Sequence, residues 1–82
     1  MNRFDYTIKD ENGVHARPAG LIAKKAKEYG FEIMLEYNGK SVSLTKLLAI
    51  MSMGIKKGDT VTVTAPEGED ISRLKEFFEE NL

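Results

Sequence analysis

The sequence predicts an α+β fold in the order β-α-β-β-α-β-α, with a four-stranded antiparallel sheet and three helices on one face. Three observations predict it. Four short segments alternate apolar and polar residues with the period of a half-buried strand. Three others repeat apolar residues at helical spacing. An Asn38-Gly39 pair joins two of the strands, and such a pair is the strongest short hairpin signal because both turn residues need positive φ.

The elements follow in order. Phe4, Tyr6 and Ile8 alternate with Arg3, Asp5 and Thr7 in a first strand. Lys9-Asp10-Glu11-Asn12-Gly13 is polar and turn-rich, hence a loop. Ala19, Ile22, Ala23, Ala26 and Tyr29 form the apolar stripe of a helix from about Ala16 to Tyr29. Gly30 ends it, with Lys24, Lys25 and Lys27 near the negative end of its dipole. Phe31, Ile33, Leu35 and Tyr37 alternate with Glu32, Met34 and Glu36 in a second strand. Folding the hairpin about Asn38-Gly39 sets Leu35 opposite Val42 and Ile33 opposite Leu44 on the apolar face. It sets Glu36 opposite Ser41 and Met34 opposite Ser43 on the other.

Thr45 is placed to cap a short helix from Leu47 to Met53, closed by Gly54. Val61, Val63 and Ala65 alternate with Thr60, Thr62 and Thr64 in a fourth strand, which Pro66 and Gly68 break. Asp70 caps a last helix with Ile71, Leu74, Phe77 and Phe78 as its stripe. A right-handed first β-α-β unit leaves room for the fourth strand between the first two. The helices then cover one face of the sheet.

Composition narrows the function. The chain has 82 residues, enough for one domain over 1–82, with 41% apolar and 30% charged residues. It has no cysteine, which excludes disulfides and thiolate metal sites and suits a reducing compartment. No apolar run reaches membrane-span length, and the first residues lack a signal-peptide pattern, so a cytoplasmic protein without membrane insertion is expected. A net charge of −1 gives no general attraction to nucleic acid. The charges are nonetheless segregated. Arg17, Lys24, Lys25 and Lys27 share one segment, and Glu67, Glu69, Asp70, Glu76, Glu79 and Glu80 crowd the C-terminal part. No cofactor is implied: the chain has one histidine, and no carboxylates stand at metal-ligand spacing to it.

The chemistry converges on Gly13-Val14-His15-Ala16-Arg17-Pro18-Ala19, where a loop runs into the first helix. Pro18 suits a first helical turn, since its missing N–H has no intrahelical partner there. The amides of Ala16 and Arg17 are left free, and a helix N-terminus with free amides is an anion site. Arg17 adds a donor fork that matches phosphate oxygens. Imidazole, substantially neutral near pH 7 at its reference value, is a nucleophile that can take a phosphoryl group and release it again. A lone loop histidine is ordinarily just solvated. His15 gains weight because Gly13, Arg17, Pro18 and the helix start support one anion site.

Leu47-Leu48-Ala49-Ile50-Met51-Ser52-Met53 is apolar nearly all round. Such a short helix is either clamped under loops or left partly exposed as a docking patch. Ordinary core with a little exposed apolar surface fits the residues equally well.

The segment from Gly13 to Ala19 resembles the histidine signature of the HPr family of phosphocarriers in the bacterial phosphoenolpyruvate-dependent sugar phosphotransferase system. The resemblance extends through Glu36-Tyr37-Asn38-Gly39-Lys40 and Met51-Ser52-Met53-Gly54-Ile55, and so over essentially the whole chain. It implies the HPr open-faced β-sandwich. It also implies that His15 accepts phosphate on Nδ1 from enzyme I and passes it to enzyme IIA domains, as a carrier and not an enzyme. Arg17 matches the family's phosphate-stabilising arginine. Lys24, Lys27, Lys46, Leu47, Leu48 and Met51 match positions around its docking surface, and a monomer suits a shuttle. One position departs: a serine that many relatives use for regulation is here Lys46, which has no hydroxyl.

Two other classes compete. A regulatory binding module would keep the fold and use the patch to control other proteins, but retention of His15, Arg17 and Pro18 favours transfer. A nucleic-acid-binding domain would want aromatic and basic residues on the open sheet face. That face carries Glu32, Met34, Glu36, Ser41, Ser43, Thr60, Thr62 and Thr64 instead.

Overall fold

A computed structural model describes residues 1–82. The strands are β1 (Arg3–Thr7), β2 (Met34–Tyr37), β3 (Lys40–Ser43) and β4 (Thr60–Thr64). The helices are α1 (Ala16–Ala26), α2 (Leu47–Ser52) and α3 (Ser72–Asn81). The chain runs β1-α1-β2-β3-α2-β4-α3, the predicted order. Every strand pair is antiparallel and the sheet order is β1-β4-β2-β3, so the fourth strand does lie between the first two.

The hairpin has the expected register, with Leu35 paired to Val42, Glu36 to Ser41 and Met34 to Ser43. Asn38 and Gly39 sit at φ 55° and 82°, which is why the turn takes two residues and no more. The Leu44 amide donates to the Ile33 carbonyl at 2.8 Å and carries the pairing one step further. Phe4, Tyr6, Ile33, Leu35, Val61 and Val63 point to the helical side and are buried. On the open side the Thr62 hydroxyl donates to Asp5 at 2.7 Å, and the Thr7 and Thr60 hydroxyls meet at 2.9 Å. A face satisfied by its own hydroxyls needs no covering layer.

The core joins both layers. Phe78 of α3 is fully buried and meets the rings of Phe4 and Tyr6 edge-on, at centroid distances of 5.4 and 5.7 Å. Ile22, Ala23 and Ala26 bring in α1, and Ile50 brings in α2. Edge-to-face rings add to the value of burial because positive ring edges meet negative faces.

Several element ends differ from expectation. The second strand begins at Met34, so Phe31 and Glu32 precede its ladder. The first helix ends at Ala26, not Tyr29, because the last turn tightens: the Glu28 and Tyr29 amides donate three residues back, to Lys25 and Ala26. Tyr29 then stacks at a tilt on Phe31, 5.5 Å away, and both pack on the core. Thr45 does not cap α2. Lys46 occupies the cap position with no side-chain bond, and the Thr45 hydroxyl pairs with that of Ser43 at 2.9 Å instead. The Lys46 amide donates to the Ser43 carbonyl at 3.0 Å, and within this turn the two hydroxyls satisfy each other. Asp70 lies one residue before the cap of α3, which is Ile71. Its carboxylate still takes the Ser72 amide at 3.0 Å and the Ser72 hydroxyl at 2.6 Å, so it ties down the helix start from one step out.

Candidate functional site

The site begins with a glycine whose place no side chain fits without strain. Gly13 adopts φ +66°, and a Cβ there would stand 2.4 Å from the Ile55 carbonyl oxygen and 2.9 Å from the Lys56 Cα. Real Cβ atoms do not approach backbone so closely, so the absent side chain lets the loop press against the connection between α2 and β4. The Val14 amide then reaches the Ile55 carbonyl at 3.0 Å. On the other flank the Lys9 and Asp10 amides both donate to the Leu82 backbone oxygen at 2.7 Å. The loop is thus held from two distant parts of the chain.

His15 is the N-cap residue of α1, extended at φ −104° and ψ 179°. Its carbonyl accepts the Ala19 amide at 3.0 Å and so closes the first turn. Its side chain makes no capping bond and is 32% exposed. A cap position usually goes to Ser, Thr, Asp or Asn, whose oxygen satisfies a free amide. Here the Ala16 and Arg17 amides donate to nothing within the chain, and Pro18 has no amide to donate. The first turn holds no acidic residue. The positive end of the helix is therefore open to an external anion beside the imidazole. Pro18 is buried and fixes the turn, while Arg17 is exposed.

The remaining predicted residues spread over two helices that pack on one another. Arg17 and Lys24 share one helical face seven residues apart, with Lys27 close to one turn further, and all three are exposed. On α2, Leu48 is 79% exposed, Met51 37% exposed and Leu47 half-buried, while Ile50 enters the core. Part of that apolar helix is thus surface. Lys46 is exposed at its start.

Two residues escape a reading of the sequence. Leu21 is 40% exposed on the same α1 stripe as Arg17 and Lys24, and it is concealed because a leucine in a helix is normally read as core. Asp10 brings a carboxylate to the site: its Oδ2 lies 3.5 Å from His15 Nε2. Its other oxygen accepts the Asn12 amide at 2.8 Å. That bond first, with the neighbouring His15 and Arg17 charges, outweighs partial burial and holds the Asp10 pKa below the usual carboxylate range. The aspartate-to-amide turn two residues on is the available signal.

The site is a rim and not a hollow. The open grooves of the molecule lie between α1 and α3, around Lys25, Tyr29, Arg73 and Phe77, and His15 lines none of them. No helix is long and apolar enough to cross a membrane.

Comparisons with known proteins agree with this arrangement. Residues 2–80 match the family model described as the PTS HPr component phosphorylation site. The structure resembles the histidine-containing phosphocarrier protein of Mycoplasma at TM-score 0.81 and 32% identity, over 96% of this chain and 89% of that one. It resembles HPr of Bacillus anthracis at TM-score 0.80 and 30% identity, over 98% and 94%. It is also similar to Crh of Bacillus subtilis, a swapped, intertwined dimer, at TM-score 0.70 and 28% identity, over 94% and 92%. With the histidine at an open helix start and the whole fold shared with these proteins, the chain belongs to the HPr family of phosphocarrier proteins of the phosphotransferase system.

Proposed function

We propose that this chain, acting as one domain over residues 1–82, accepts a phosphoryl group from phosphorylated enzyme I on His15 Nδ1 and passes it to enzyme IIA domains of sugar permeases. The observation that carries the reading is the pairing of an uncapped imidazole with two free amides at the start of α1. In the transfer the Nδ1 lone pair forms a bond to phosphorus, and the donor leaves with the electrons of its own bond. The Ala16 and Arg17 amides and the Arg17 guanidinium meet the phosphoryl oxygens. The proton on Nε2 stays, so the phosphorylated ring is cationic and its N–P bond is primed for the next acceptor. The protein is a covalent intermediate in the relay and not its catalyst.

The shape of the site supports a protein donor over a free small molecule. His15 stands on a rim with no enclosing pocket, at the start of a helix that packs on α2, and these two helices and their ends expose Leu21, Leu48 and Met51 and the cations Lys24, Lys27 and Lys46. Exposed apolar residues together with cations suit a surface that several partners press against in turn. A cytoplasmic monomer follows from that traffic, since each partner needs the same face. Mixing the protein with enzyme I and phosphoenolpyruvate tests the reading. The expected product is a phosphate that acid removes and alkali does not, absent from His15→Ala. Phosphate on the alanine variant would refute the assignment.

Lys46 sharpens the reading. In relatives regulated by phosphorylation a serine opens this helix, and its phosphate sets negative charge at the docking face. Here the cap residue carries a positive charge, and the adjacent Thr45 hydroxyl is engaged with Ser43. The carrier is therefore competent at all times. Incubation with an HPr-type kinase and ATP should leave it unmodified, and stoichiometric phosphate on Thr45 would overturn this.

A further inference from the structure

We propose that Asp10 is a positioning residue for phosphoryl transfer: its carboxylate holds the proton of His15 on Nε2 and thereby keeps Nδ1 as a free lone pair. The inference rests on His15 being the acceptor and adds the group that orients it.

The geometry is built from both oxygens of one carboxylate. Oδ1 accepts the Asn12 amide at 2.8 Å, which fixes the plane of the group. Oδ2 is then directed to Nε2, at 3.5 Å. The separation is that of an ion pair, a little beyond an ordinary N–H···O bond. The backbone of Asp10 is itself pinned. Its amide donates to the Leu82 oxygen at 2.7 Å, and its carbonyl accepts the Gly13 amide at 2.9 Å. Such a carboxylate is placed before any partner arrives.

The other charged groups nearby do not take over this role. Arg17, on α1, acts on Asp10 as a cation and cannot accept a proton from the ring. Across the loop, Glu11 is paired with Lys57 at 3.3 Å, and Lys56 is a further cation on the same connection. Asp10 is the carboxylate in contact with the imidazole. It remains ionised well into the acid range, for the reasons given above.

The chemical consequence follows from what each nitrogen does. Neutral imidazole carries one proton, on either nitrogen, and only the unprotonated one attacks phosphorus. An acceptor beside Nε2 selects the Nε2–H form, in which Nδ1 is the nucleophile. When the N–P bond forms and the donor departs with its bonding pair, the ring becomes cationic and the Asp10 charge offsets it. No proton has to be moved in either direction of the relay.

Asp10→Asn tests this with little change of shape. The amide oxygen can still take the Asn12 amide, and its NH2 then faces Nε2 as a donor, which favours the opposite tautomer. The ring nitrogens of His15 are followed by 15N NMR in the unphosphorylated protein, above the pH of imidazole protonation. We expect wild type to be mainly Nε2–H and the variant to shift toward Nδ1–H. Phosphoryl acceptance from enzyme I should slow by up to about fivefold, the scale of a partly exposed charge pair. Asp10→Glu should recover part of both effects, and the melting temperature checks that each variant folds. An unchanged tautomer ratio in Asp10→Asn overturns the proposal, as does a changed ratio with an unchanged transfer rate. A wild-type protein that shows the expected tautomer yet takes no phosphate would overturn the carrier reading itself, so the two failures are distinguishable.

Discussion

Replacing Gly13 by alanine should cost more than any other single methyl group added to this chain. Two terms contribute. Holding a residue with a Cβ at φ +66° costs about 1–2 kcal/mol. The new Cβ would also stand 2.4 Å from the Ile55 oxygen, a backbone atom that cannot rotate away. The loop must therefore move back, which breaks the 3.0 Å bond from the Val14 amide to that same oxygen. A lost backbone bond adds about 1 kcal/mol, more if the groups stay buried. The sum is about 2–3 kcal/mol. For a domain of this size each kcal/mol lowers the melting temperature by roughly 4–8 °C, so a fall of roughly 10–20 °C is expected. Gly20 is the matched control. It lies inside α1 at ordinary φ, with nothing within 4 Å of where an added methyl group would sit, so Gly20→Ala should gain about 0.5–1 kcal/mol through helix propensity. Thermal unfolding of both variants, followed by circular dichroism, gives the comparison. If Gly13→Ala melts within about 3 °C of wild type, well under the shift expected for even 1 kcal/mol, the close approach of loop and Ile55 is wrong.

Two further predictions concern charge. The Asp70 carboxylate takes the Ser72 hydroxyl, the Ser72 amide and the Met1 amino group, and in that order they lower its pKa to about 2. A depressed carboxylate stabilises the fold at pH above its unfolded value and loses that contribution as pH falls through the folded one. The urea midpoint should therefore drop between about pH 4 and pH 2 in wild type, with a flatter profile in Asp70→Asn. An equally steep profile in the variant would contradict the assignment. Tyr37 donates to Asp59 at 2.6 Å, and that bond, followed by burial and the Asp59 charge, raises the phenol above its ordinary pKa. The tie contributes stability below the unfolded phenol value and loses it as pH rises through the folded one. Tyr6 is raised as well, by burial and then the Glu79 charge, so ultraviolet titration should show two tyrosines that ionise late in wild type and one of them earlier in Asp59→Asn; no change between them would argue against the bond.

What could be read from the residues, and what could not, divides along a physical line. The hairpin register was legible because Asn38-Gly39 permits one tight turn, and slipping it by one residue would turn Leu35 and Val42 out to water. The strand order was legible because a right-handed crossover leaves a gap for β4. The starts of α1 and α2 at Ala16 and Leu47 were legible too, but the capping residues of α2 and α3 were not. Thr45 and Asp70 have the chemistry of caps, yet each stands one residue short of the actual cap, because the incoming chain decides where the helix turns begin. At the site, His15, Arg17 and Pro18 were legible from their spacing along one helix turn. Asp10 was hidden, since its approach to His15 depends on a loop shape set by Leu82 and Ile55, far along the sequence. Exposed Leu21 and Leu48 were ambiguous for a related reason: periodicity assigns a face to a helix and does not say whether another layer covers it.

Two departures from local preference meet at the start of α1. The Ala16 and Arg17 amides are left without partners next to an imidazole that makes no capping bond, and Gly13 holds a left-handed conformation under backbone contact. The missing side-chain cap does not by itself set α1 apart, since α2 also starts without one. On the same two helices Leu21, Leu48 and Met51 face water. Such departures are expected where a fold carries function. On the proposed carrier reading each has a use: the open start of α1 would receive a phosphoryl group, and the exposed apolar residues would give successive partners something to bury. The glycine allows the loop to be clamped. The clamps come from the Leu82 and Ile55 carbonyls, so the stability of the whole sheet-and-helix frame is spent on holding one imidazole still.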